Sequence, residues 1–187
     1  MKTFHVTLGG LLVAGFFAFS GCEPQIPVEL PAIPLASVEP YFSEAAEIEA
    51  IDTSYYQVKD AEGNLLGTVL FSMPYSASVN GYNGTTPLLI TLDAENHITN
   101  VVLRDHHETP RYAQRVEENG LYQSWNGLSV DEALAKDVDA VSGATYTSTG
   151  VKNTLAVRLK AYQRQLTKDY NATKPSFWQR LFAPKKR

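Results

Sequence analysis

The stretch Asp139-Ala140-Val141-Ser142-Gly143-Ala144-Thr145-Tyr146-Thr147-Ser148 gathers hydroxyls and small side chains just ahead of a strongly periodic segment. Ser142, Gly143 and Ala144 leave the backbone approachable, and a helix beginning here aims unpaired amide N–H groups and its positive dipole end at the same spot. Such a place suits an anion, each dipole contact contributing roughly 0.3–1 kcal/mol. The plainer reading is an ordinary helix start with Thr147 or Ser148 as its hydroxyl N-cap, and spacing alone does not choose between the two. A second polar cluster, His106-His107-Glu108, invites a metal reading but lacks a cysteine or a further histidine at ligand spacing.

The elements that must position these residues read as one small α+β domain. Val151, Leu155, Leu159, Tyr162 and Leu166 fall at helical spacing within 150–170, which predicts a long helix with one apolar stripe and a Lys- and Arg-rich polar face. Upstream, the apolar runs 55–59 and 65–71 flank Asp60-Ala61-Glu62-Gly63-Asn64, and the runs 88–92 and 98–103 flank Asp93-Ala94-Glu95-Asn96. Apolar runs joined by such turn residues predict two β-hairpins, hence a small antiparallel sheet of four strands packed with several helices. Residues 111–119, ended by Gly120, predict a short helix, and Ser129-Val130-Asp131-Glu132 has the capping-box pattern that opens another. Good helix formers with apolar residues at helical spacing over 41–51 predict an amphipathic helix at the start of the fold.

The 187 residues are 44% hydrophobic and include ten Tyr, eight Phe and two Trp, which is material for one packed core rather than a disordered chain. A net charge of -4 lacks the basic excess of a nucleic-acid binder. The single cysteine, Cys22, excludes an intrachain disulfide, a CxxC redox pair, a four-cysteine iron–sulfur site and a CxxCH haem attachment within this chain.

Residues 1–22 have Lys2 near the start, an apolar run from Val6 to Phe19 and small residues ending in Gly21 and Cys22, the pattern of an export signal. Ser20-Gly21-Cys22 resembles a bacterial lipobox, in which Cys22 would be lipidated, although Phe19 stands where lipoboxes usually have Leu. An uncleaved anchor and a secreted protein are the other readings, and all three place the domain outside the cytoplasm. Residues 23–40 hold five of the ten prolines and read as a linker, extended at roughly 3.1 Å per residue, ahead of a domain over 41–170. The tail, 171–187, interleaves Lys174, Arg180, Lys185, Lys186 and Arg187 with Phe177, Trp178, Leu181 and Phe182, and suits an anionic membrane surface or a partner.

Asp139, Ser142, Gly143, Ala144 and Thr145 fill every fixed position of a motif, Asp-x-x-(Ser/Thr)-Gly-Ala-Thr, so the stretch resembles the flavinylation motif of the FMN-binding domain family. That family is known from flavin-carrying components of the sodium-pumping NADH:quinone reductase and of the Rnf electron-transport complex. Gly81-Tyr82-Asn83-Gly84 and His106-His107-Glu108-Thr109-Pro110 are similar, in order and spacing, to the family's Gly-Tyr-Gly-Gly and His-x-Glu-Thr-Pro-Gly segments. Asn83 and Arg111 stand where the family has glycine. The resemblance implies FMN held covalently as a phosphoester on Thr145, donated from FAD by a magnesium-dependent flavin transferase that recognises Asp139. It further implies that Gly81, Tyr82, Glu108, Thr109, Pro110, Tyr146, Thr147 and Ser148 lie at the cofactor. The expected role is an electron carrier serving membrane electron-transfer proteins. A non-covalent FMN or small-ligand module, and the flavin-donating component of an extracytoplasmic reductase, are the alternatives.

Overall fold

The computed structural model describes residues 30–173; the expected export signal, Cys22 and the basic tail from Lys174 onward lie outside them. Five strands, β1 (Glu47–Asp52), β2 (Tyr55–Lys59), β3 (Leu65–Phe71), β4 (Leu88–Asp93) and β5 (Ile98–Leu103), form one sheet in the order β1-β2-β3-β4-β5. All neighbours are antiparallel. The two expected hairpins are β2–β3 and β4–β5, closed by Gly63 and Asn96 at φ +85° and +67°, conformations that suit glycine and asparagine.

The helix expected over 41–51 is not formed. Residues 43–44 turn, and 47–52 become β1, pairing Ile48 with Val58 and Ala50 with Tyr56, with Lys59 and Glu49 joined at 2.6 Å. Ile48 and Ala50 alternate with exposed Glu47, Glu49 and Ile51, so the segment satisfies a period of two as well as a helical one. The open edge of β2 decides between them, because it offers backbone partners that an isolated eleven-residue helix lacks. The sheet therefore has five strands where the hairpins alone give four.

Three helices follow: α1 (Pro110–Glu118), α2 (Val130–Ala135) and α3 (Thr145–Thr173). Ser129 and Glu132 make the expected reciprocal capping box at the start of α2, and hydrogen bonding to Ser129 holds the Glu132 carboxyl below its ordinary pKa. On one face of the sheet, Tyr55, Leu70, Leu88, Ile90, Leu92, Ile98 and Val101 pack with Val151, Leu155, Leu159 and Tyr162 of α3 and with Val116, Leu121 and Trp125. Leu166, the fifth residue of the predicted stripe, is exposed.

The other face is covered as well. Val38 and Phe42 are buried with Tyr56, Val58, Val69 and Leu89, while Ile33 and Leu35 pack at the margin. The Tyr56 hydroxyl donates to Pro31 O at 3.0 Å. The described part of the Pro-rich 23–40 stretch thus lies across the sheet as a strap, irregular up to Pro34 and then coiled through a 3-10 turn at Leu35–Ser37 and further turns, held by its own hydrogen bonds such as Val38 N to Leu35 O at 2.9 Å.

Arg158 ties α3 to the strands. It is fully buried, donates to Phe71 O at 2.8 Å and Ser54 O at 3.2 Å, and sits 4.9 Å from the centre of the Tyr75 ring. Burial lowers its pKa, opposed by the nearby Tyr75 and Asp52.

Candidate functional site

Three segments meet where α3 begins: the loop 80–85 between β3 and β4, the 106–110 stretch leading into α1, and the turn 139–144. Glu108 joins them. It is 3% exposed; its Oε1 accepts from Asn83 N at 3.0 Å and its Oε2 accepts from the Thr147 hydroxyl of α3. Asn83 Nδ2 donates to His107 O at 2.7 Å, and Glu108 N donates to His106 Nδ1 at 3.1 Å, which occupies that imidazole with its own loop. Among the described residues no group of three His, Cys, Asp or Glu side chains stands together as a metal site.

Two glycines bring the loop onto the helix. A Cβ on Gly150 would fall 2.7 Å from Gly81 Cα, and a Cβ on Gly81 would fall 2.5 Å from Glu108 Oε1. Backbone therefore packs on backbone, which fixes where Tyr82 projects.

The turn itself settles the question of the helix start. Neither Thr147 nor Ser148 is the N-cap: α3 begins at Thr145, and the residue before it is Ala144, whose methyl caps nothing. The Ser148 hydroxyl, fully buried, accepts from Val141 N at 3.0 Å and donates to Ala144 O at 3.0 Å, so it braces the turn from behind. Gly143 has φ +76°, a conformation that favours glycine. The first amides of α3 lack intrahelical acceptors, as at any helix start, which makes the spot suited to an anion.

In front of this turn lies a hollow of about 250 Å³ lined by Tyr82, Tyr112, Gly143, Ala144, Thr145, Tyr146 and Thr147. Thr145 is exposed at its rim. Tyr82 and Tyr146 are 56% and 72% exposed, an unusual amount of bare ring for two aromatic side chains standing together. Tyr82 stands edge-on to Tyr112, ring centres 4.9 Å apart, and 6.5 Å from Tyr146. Closed ligand pockets occupy about 300–1,000 Å³, so this one would hold a flat ring against aromatic walls with an edge left open. A phosphate on Thr145 would meet free amides and no side chain at Gly143, so the residues present fit an FMN phosphoester.

Of the residues singled out from sequence, Tyr82, Gly143, Ala144, Thr145, Tyr146 and Thr147 line the hollow. Gly81, Glu108 and Ser148 stand behind it as the frame. Asp139 and Ser142 are exposed along the approach to the turn; Thr109 and Pro110 start α1, with Thr109 O accepting from Tyr112 N at 2.8 Å. Arg111 is exposed on α1 and does not line the hollow. Sequence reading missed Tyr112 and Arg115, which share one face of α1 at a spacing of three; that spacing, directly after the Glu-Thr-Pro turn, was the available signal.

An aromatic-walled ledge beside an exposed threonine at an uncapped helix start, on a small α+β domain, would suit a flat cofactor that bears a phosphate. Residues 81–160 match the model of the FMN-binding domain family. The chain is also similar to the crystal structure of Shewanella oneidensis NqrC, with 23% identity and a TM-score of 0.43, the match covering 61% of this chain and 60% of that one. The chain thus spans about three fifths of the length of that protein. No curated protein matches the chain.

Proposed function

We propose that the chain is an exported, membrane-tethered electron carrier holding one FMN through a phosphoester on Thr145. The observation that carries this reading is the exposed Thr145 hydroxyl at an uncapped helix start, on the rim of the tyrosine-walled hollow. Attachment is a phosphoryl transfer from FAD, catalysed by a magnesium-dependent flavin transferase. The Thr145 Oγ–P bond forms, the pyrophosphate P–O bond breaks, AMP leaves with the bridging oxygen, and the hydroxyl proton passes to a base of the transferase. Asp139 and Ser142, exposed beside the turn, are available for the transferase to grip.

Bound FMN supplies reversible electron transfer, while the protein supplies place and surroundings. Tyr82, Tyr112 and Tyr146 bracket the ring, the α3 amides hold the phosphate, and the open edge of the hollow admits electron exchange with membrane redox partners. A covalent bond suits a protein outside the cytoplasm, where even a micromolar complex, worth about 8.2 kcal/mol, empties by dilution. Lipidated Cys22 would be the tether, and the basic aromatic tail a second membrane contact. Among the described residues no helix is long and apolar enough to cross a membrane.

Coexpression with a flavin transferase tests the assignment. Thr145→Ala removes one exposed hydroxyl, so it leaves the fold intact and gives a denatured band without flavin fluorescence, while the wild-type band fluoresces. A fluorescent Thr145→Ala band overturns the attachment site. Wild-type flavin that leaves on denaturation favours the non-covalent module instead.

A further inference from the structure

We propose that Arg115 holds the phosphate of the Thr145-linked flavin; the inference rests on that attachment reading and goes beyond it by naming the cation. Arg115 lies in the last turn of α1, and its guanidinium is laid over the turn ahead of Thr145: a Cβ built on Gly143 would fall 2.2 Å from Arg115 Nη1. Gly143 is favoured by its φ of +76°, and its missing side chain leaves the space in which the flexible guanidinium lies. Among the described residues the guanidinium has no hydrogen-bonding or ion-pair partner, whereas the buried Arg158 uses its three nitrogens on two carbonyls and a glutamine.

Arg115 is exposed, so its donors face solvent rather than protein, and an arginine laid against a turn in this way is free to exchange water for an anion arriving there. A phosphoester on Thr145 brings one negative charge two residues along the chain, in front of the first-turn amides of α3. The phosphate would sit between those amides and the guanidinium, and Tyr112, three residues before Arg115 on the same helix face, would meet the ring. The α1 helix thus supplies one cation for the phosphate and one wall for the ring.

Arg115→Gln, Arg115→Lys and wild type are each prepared with and without coexpressed transferase. The attached fraction is read by intact mass over time, and melting temperature is read on loaded and unloaded protein. Without flavin the three proteins melt within a few degrees of one another, since the only interaction lost is that of a cation with the carbonyl end of α1. With flavin, the wild type melts higher; Arg115→Gln loses most of that rise and is loaded about tenfold or more slowly, the effect of losing a charge-assisted hydrogen bond. Arg115→Lys, with the charge but not the fork, recovers part of both.

Equal loading and an equal flavin-dependent rise in Arg115→Gln overturn the proposal, as does loss of attachment in both variants alike. A fall of the unloaded Arg115→Gln protein as large as that of the loaded one assigns Arg115 a purely structural role and overturns it too. Wild-type protein that gains no mass is a separate result: it removes the ester itself, and the role of Arg115 with it.

Discussion

Gly150→Ala separates the packing argument from simple helix propensity. The added Cβ would stand 2.7 Å from Gly81 Cα, 2.8 Å from Gly81 N and 3.0 Å from Asn80 O. All three neighbours are backbone, so no rotamer change relieves the contact. Carbon atoms pack at about 3.5–4.0 Å, so α3 and the 80–85 loop must move apart by roughly 1 Å. Overpacking of this kind costs about 1–3 kcal/mol, and alanine in a helix interior regains about 1 kcal/mol over glycine. The net expectation is a loss of about 0–2 kcal/mol, at roughly 4 °C of melting temperature per kcal/mol for a domain of this size. The site suffers more than the fold, because Tyr82 follows Gly81 and the wall of the hollow opens. Thermal melting of the unloaded protein, together with the fluorescence of attached flavin, reads both effects. A higher melting temperature with unchanged flavin fluorescence would refute the reasoning, since propensity would then act without any close approach to resist it.

Thr147→Val keeps volume but removes the hydroxyl that donates to buried Glu108, so a loss of about 2 kcal/mol is expected in urea unfolding; a loss under about 0.5 kcal/mol would show that Glu108 does not clamp the three segments. The buried Tyr122 hydroxyl has no hydrogen-bond partner among the described residues, so Tyr122→Phe should stabilise the protein by about 1 kcal/mol, and a clear loss would reveal a partner. Burial raises the pKa of Tyr122 and Tyr162 above 10.0, so the stability they contribute is fully present below about pH 10 and lost as pH rises beyond it. Alkaline titration of stability should show that fall, shallower in Tyr122→Phe, and an unchanged profile would count against it.

Much of the fold is legible in local sequence because its signals are local. Gly63 and Asn96 mark hairpin turns, the Ser129–Glu132 pair marks a helix start, and the stripe from Val151 to Tyr162 marks the face of α3. What local reading misses depends on distant partners. Residues 47–52 satisfy two periodicities, and only the edge of β2, brought up by the fold, selects the strand. The strap formed by 30–42 carries no periodic signal, and Val38 and Phe42 find their places among side chains from β2, β3 and β4. The site divides the same way. Thr145 and its turn stand in a contiguous motif, while Tyr112 reaches the hollow, and Arg115 the turn at Gly143, only because α1 is laid beside α3.

The strap has a consequence for how the molecule meets its surroundings. The first described residues, with Pro31 hydrogen-bonded to Tyr56 and Ile33 packed beside it, lie on one broad side of the sheet, while the tyrosine ledge belongs to the helical side. Under the proposed function, an anchor attached through the preceding chain would pull on the back of the domain and leave the front free to swing between a donor and an acceptor without its own leash crossing the entrance.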